Sequence, residues 1–385
     1  MTASTRPVDA HHADLDWLRV LAIVVLHVFH TGMMFNTWDW HIKSPQALPV
    51  LEPVMGVLHL VRMPLLMVIS GAGTALALRR RTLGAFAKDR AKRLLGPLVF
   101  GMLVVVPPQI YVERLFRGQF QGSYAEFYPS VFGFVPYPAG SLSWHHLWFV
   151  AYLFVYCLMA LPLFAALRTA RGERFLAWVD AWLSRGWNVL WLFVPLALTR
   201  VLLRDFPETH ALLDDPRTFL LYGLLFLDGH LLGRCPRVWA RLVELRHGLL
   251  ALAVAALVVE LVWPWPVLPL VPAILGGTLL LWSGLLVALA YARHHVRASP
   301  AWLPRAQELS YPFYILHQTV IVCVGYACLR LPVGPWMMLL AVLTGSFVLT
   351  LALCETVSRV SWLRPCFGMK ARAARPAVLA PEAVG

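Results

Sequence analysis

The stretch Leu15–His30 reads LDWLRVLAIVVLHVFH. Twelve of its sixteen residues are apolar, and no Gly or Pro interrupts them. Extended to residues 16–36, the run is long enough to cross a bilayer, which takes roughly 17–25 mostly apolar residues. It nevertheless carries Arg19 near one end and His30 eleven residues later. At about 100° per residue, the two side chains fall about 20° apart on one helical face and roughly 16 Å apart along the axis. Asp16 lies one turn before Arg19 and is placed to pair with it; His27 lies one turn before His30. Two readings stand. Arg19 snorkels to the headgroups while His30 packs on a polar neighbour, or the two line a polar seam inside a helical bundle.

The rest of the chain is of the same kind. Of 385 residues, 59% are hydrophobic and only 14% charged, where soluble proteins average about 25% charged. A soluble domain needs more polar surface than this. The composition therefore predicts an all-α, polytopic integral membrane protein. Ten spans are read at 16–36, 53–78, 94–112, 145–167, 187–203, 218–233, 247–263, 270–292, 310–329 and 335–357, forming one bundle. Residues 1–15 are polar and lack the apolar core of a signal peptide, so the first span is expected to be retained. The division is an N-terminal tail at 1–15, a membrane domain at 16–365 and a tail at 366–385, rich in Ala, Pro and Arg and expected to be disordered.

The net charge of +13 raises the question of nucleic acid. Its distribution answers it. With the N-terminus placed inside, the cytoplasmic segments hold 24 of the 33 Lys and Arg and the outer segments six; Arg19, Arg62 and Arg200 lie within spans. That asymmetry is the inward bias of basic residues in membrane proteins. It places both termini in the cytoplasm and leaves no basic excess for a nucleic-acid partner. The partner implied is the bilayer itself. No internal repeat or inverted pairing of broken helices is visible. The six cysteines show no metal-ligand pairing and predict no disulfide framework.

Ionisable groups inside spans cost on the order of 3 kcal/mol each and are functional candidates by default. The second span carries His59 and Arg62, the latter deep enough to need a carboxylate or an anionic ligand. The inner loop RRRTLGAFAKDRAKR follows, with Arg90 and Arg93 on one helical face. That pair suits phosphate groups or, on the blander reading, anionic lipid. SWHHLWFVAYLFVY brings His146 and Trp148 to the outer interface, where an aromatic belt is the alternative. ELSYPFYILHQTV carries His317 about two turns into the membrane. The longest outer connection, roughly 113–144, is aromatic-rich and offers either ring-stacking faces or a further belt. No CxxC, HExxH, Walker, GxSxG or GxGxxG motif occurs, and no histidine pair has i,i+4 spacing on one helix. No metal site is expected.

Taken in order, these segments resemble the acyltransferase 3 family of integral membrane acyltransferases. LDWLRVLAIVVLHVFH is similar to its Arg-x10-His signature, carried by Arg19 and His30. MPLLMVISGAG followed by RAKRLLGP resembles its second helix and RxxR element, carried by Arg90 and Arg93. HLWFV at 146–150 and LSYPFYILH, ending at His317, resemble two further motifs. The ending ETVSRVSWLRPCFGMK most resembles the branch that modifies periplasmic glucans. The resemblance covers about 16–370. It implies acyl-CoA as a cytoplasmic co-substrate with no permanently bound cofactor. It also implies an extracytoplasmic glycan hydroxyl as acceptor and a bacterial plasma membrane location. Arg19 and His30 would be catalytic, as general base or as acylated nucleophile for His30, and Arg90 and Arg93 would hold the CoA phosphates. Arg62, His146, Trp148 and His317 are candidates for contacts with substrate or oxyanion. The alternative is a transporter or flippase of a small anion or glycolipid that uses the same Arg and His as a relay.

Overall fold

Lipid offers no partner for a backbone N–H or C=O, so apolar runs that cross it must close their own hydrogen bonds as helices. The computed structural model describes residues 13–263, 269–296 and 298–370. The expectations for 1–12 and 371–385 lie outside the described residues. Among the described residues the regular structure is helical, apart from one isolated bridge between Pro136 and Leu142.

Seven helices are long and apolar enough to cross a membrane: Ala13–Met33, Pro49–Leu78, Leu83–Phe116, Pro236–Val262, Leu270–His295, Leu303–Cys328 and Pro335–Arg359. His145–Met159 and Leu161–Leu167, bent by 47°, make an eighth if the pair is one span. The bend falls at Pro162, in the first turn of the second piece, where a ring without an N–H is tolerated but cannot continue the helix before it. The fifth and sixth expected spans become Asn188–Leu202, which is short, and Pro216–Arg234, 19 residues interrupted by Asp228 and His230. Neither is among the seven. The expected ten is thus seven or eight by length and composition, and ten helices only with these two included.

Leu303–Cys328 is the most buried of the spans; Pro236–Val262 and Pro335–Arg359 are the least. The outward Val254, Val258, Leu340 and Val348 of those two are exposed, as lipid-facing side chains should be. The helix Leu83–Phe116 is irregular. Wider turns occupy Ala91–Leu95 and Gly101–Val105, next to Pro97 and Pro107. Proline leaves the carbonyl four residues earlier without its helical donor. Here Leu103 O, four before Pro107, accepts from the Tyr128 hydroxyl at 3.0 Å, and Val105 O, at the end of the second wide turn, accepts from Thr319 Oγ1 at 2.8 Å.

Glu52–Leu78 and Pro216–Arg234 cross at contact distance. A Cβ on Gly71 would lie 2.0 Å from Phe226 O, and one on Gly229 would lie 2.1 Å from Val68 O. In lipid, where apolar burial gives helices no reason to associate, such close approach supplies dispersion contact instead.

Candidate functional site

Two cavities lie back to back in the bundle. One, about 660 Å³, is lined by Arg19, Arg90, Arg93, Arg364 and Lys370, with Ser70, Thr74 and Tyr311. The other, about 840 Å³, is lined by His30, His59 and Arg62, by His41, His145 and His146, and by Trp38, Trp40, Trp144 and Trp148. Tyr314 lines both. Arg19 and His30 therefore share a helix face but open into different cavities.

In the aromatic cavity, His30 Nδ1 lies 2.8 Å from His317 Nε2. His317 Nδ1 lies 2.7 Å from Tyr314 O. A carbonyl only accepts, so His317 carries its proton on Nδ1 and leaves Nε2 as an acceptor. His30 must then donate from Nδ1 when the pair is neutral, which leaves the His30 Nε2 lone pair free. The fixed tautomer is what a base or a nucleophile requires. His317 itself does not line the cavity; it sits behind His30 and orients it. His146 is buried and donates from Nε2 to Ile315 O at 2.9 Å. The Tyr314 hydroxyl donates to His146 O. His27 faces away, toward Leu343 O and Ser346.

Arg62 is 8% exposed. Its guanidinium lies 3.4 Å over the Phe29 ring and donates to His59 Nδ1 at 3.1 Å. Among the described residues it forms no ion pair, which leaves the anionic ligand as the other partner expected from the sequence. Trp148 packs its ring 4.2 Å from that of His210. Outside the spans, Lys43 ties down the loop after the first helix. It donates to Met33 O, Asn36 Oδ1 and Trp38 O, so an ammonium caps the helix C-terminus; burial lowers its pKa. Tyr137 is pushed up to about 12 by burial and by its hydrogen bond to Glu113.

In the cationic cavity, Arg19 reaches Asp16 at 4.0 Å, which also accepts from Gln307. Asp89 ties together Arg81, Arg90 and Arg93 at 2.8, 2.9 and 3.0 Å. Arg364 spends its donors on Lys370 O, Ser358 O and Glu308 and so folds the segment after the last span over this cavity. Gly368 belongs there for a steric reason. Its φ is +68°, and a Cβ would sit 2.4 Å from the Tyr311 ring. The sequence reading assigned Arg364 and Lys370 only a topological role. Three separate segments also bring His41, Glu113 and His145 together, with donor atoms within 4.8 Å of one another. All six cysteines are free.

Residues 12–355 match the family model described as an acyltransferase domain. The chain belongs to this acyltransferase family. It is an integral membrane member of that family. Among curated proteins it is similar to the glucans biosynthesis protein C of Escherichia coli strains SMS-3-5 / SECEC, K12 and O1:K1 / APEC. Each is 26% identical over 155 residues, covering 40% of this chain and 37% of the relative. The chain thus spans well under half the length of the relatives it matches. No solved structure matches it.

Proposed function

We propose that the protein moves an acyl group from acyl-CoA, bound in the cationic cavity, to a hydroxyl of an extracytoplasmic carbohydrate, bound in the aromatic cavity. The observation that carries this reading is the pair of cavities meeting at Tyr314, one lined by guanidinium groups and the other by a tautomer-fixed imidazole among tryptophans. The inward bias of Lys and Arg supports the cationic side as cytoplasmic. It supports both termini there too, and the E. coli relatives make a bacterial plasma membrane the expected location.

Arg90 and Arg93 would exchange Asp89 for the phosphates of CoA, since guanidinium groups match phosphate oxygens bidentately. Arg19, deeper in, would neutralise charge along the donor's path. His30 Nε2 would take the proton of the acceptor hydroxyl as that oxygen attacks the thioester carbonyl. The C–S bond breaks, CoA leaves as the thiolate, and the proton passes from His30 to sulfur. Direct attack by Nε2 to give an acyl-imidazole uses the same lone pair. Arg62, a buried cation that forms no ion pair among the described residues, would stabilise the oxyanion. Trp38, Trp40, Trp144 and Trp148 offer flat faces to the C–H surfaces of sugar rings. The name of the E. coli relatives makes a glucan the first acceptor to try; acetyl-CoA or succinyl-CoA is the donor to offer with it.

The test compares wild type with His30→Ala in proteoliposomes given labelled acetyl-CoA and glucan. Transfer by the wild type should fall by about 10²- to 10⁴-fold in the variant. Equal transfer removes His30 from the mechanism. Movement of substrate across the vesicle without label transfer makes the protein a transporter.

A further inference from the structure

The His41, Glu113 and His145 cluster lies at the edge of the aromatic cavity and has no part in the reaction above. His41 comes from the loop after the first span, Glu113 from the end of Leu83–Phe116, and His145 from the start of the bent pair. Glu113 is 2% exposed, so its charge must be met locally. His41 Nδ1 lies 2.5 Å from Glu113 Oε2, and the His41 and His145 rings stack at 5.0 Å.

We propose that these three side chains form a binding site for a divalent transition-metal ion, with Zn²⁺ the best match. Two imidazoles and one carboxylate, with a fourth position open to a cavity, are a zinc donor set. Three observations favour a ligand over a plain ion pair. His145 Nε2 is buried without a hydrogen-bond partner, an unexplained lone pair or N–H in a site that otherwise satisfies its polar atoms. Each donor is already oriented from behind, as metal ligands are: Ser143 Oγ lies 2.6 Å from His145 Nδ1, and the Tyr137 hydroxyl donates to Glu113 Oε1 at 2.7 Å. His145 is also held at φ +41°, a left-handed conformation rare outside glycine and common at ligand clamps.

A cation about 2.0–2.1 Å from each donor sets the donors about 3.3 Å apart. The wider separations, all within 4.8 Å, close through side-chain torsions, and the 2.5 Å contact opens as the ion replaces the His41 Nδ1 proton. That proton moves to Nε2. Gln318, whose amide nitrogen faces Nε2 at 3.0 Å, then presents its oxygen by an amide flip. Arg117, 3.3 Å from Glu113 Oε1, is on the far oxygen and keeps Asp39 as a second partner.

The experiment titrates Zn²⁺ into the full-length protein in detergent, with the affinity tag removed and metal stripped by chelator, against a chromophoric competitor. Wild type should bind one equivalent tightly. Glu113→Gln, nearly isosteric, and His145→Ala should each bind at least about tenfold more weakly, while His247→Ala, outside the cluster, should match wild type. The proposal is overturned if wild type takes up no tight equivalent, or if Glu113→Gln and His145→Ala bind zinc as wild type does. The readout is metal binding, so it succeeds or fails independently of acyl transfer.

Discussion

His30 is useful only because His317 decides where its proton sits. A free imidazole interconverts between tautomers, and half the task of a base is to present the right nitrogen. His317→Phe should therefore keep the Michaelis constant for the acyl donor and lower kcat by on the order of tenfold, short of the 10²–10⁴ expected when the base itself is lost. Steady-state kinetics in detergent would show it; an unchanged kcat would assign His317 to packing. The candidate site was largely legible at this scale. Arg19, Arg90 and Arg93 line one cavity and His30, Arg62, His146 and Trp148 the other, because a polar group too costly for lipid turns inward. Tyr314 was missed because a tyrosine in an apolar stripe looks like core. The meeting of His41, Glu113 and His145 was not legible because spacing within one helix says nothing about which loops meet.

At the scale of elements, the long apolar runs were legible and the contacts between them were not. Hydropathy found the seven long spans because length against bilayer thickness is a one-dimensional property. The two other expected spans, Asn188–Leu202 and Pro216–Arg234, are short or polar and fall outside those seven. GHLLG, Gly229 to Gly233, was the overlooked signal, since small residues four apart let two backbones touch. Gly233 also faces the neighbouring helix, with a built Cβ 3.0 Å from Ala72 O. Gly229→Val puts side-chain atoms where Val68 O already lies, and backbone cannot give way as a flexible side chain does. It should destabilise the protein by about 1–3 kcal/mol, seen as a lower midpoint of thermal unfolding in detergent. The control Gly56→Ala, with nothing within 4 Å, should leave the midpoint in place; equal midpoints for Gly229→Val and wild type would mean the crossing is looser than described.

For the molecule as a whole, the fold gathers basic residues from distant segments around one cavity. Arg-rich segments distant in sequence, Arg90 and Arg93 on one helix and Arg364 after the last, meet around one chamber, while the tryptophans gather around the other. The chambers meet at a single phenol ring that is 3% exposed and hydrogen-bonded to the His146 carbonyl. On the proposed arrangement, with one chamber open to each side of an insulating membrane, Tyr314 would be the barrier to ion leak between them. Vesicles carrying Tyr314→Ala should lose an imposed pH gradient faster than vesicles carrying wild type, read with an entrapped pH dye, and identical decay would show that another side chain keeps the current out.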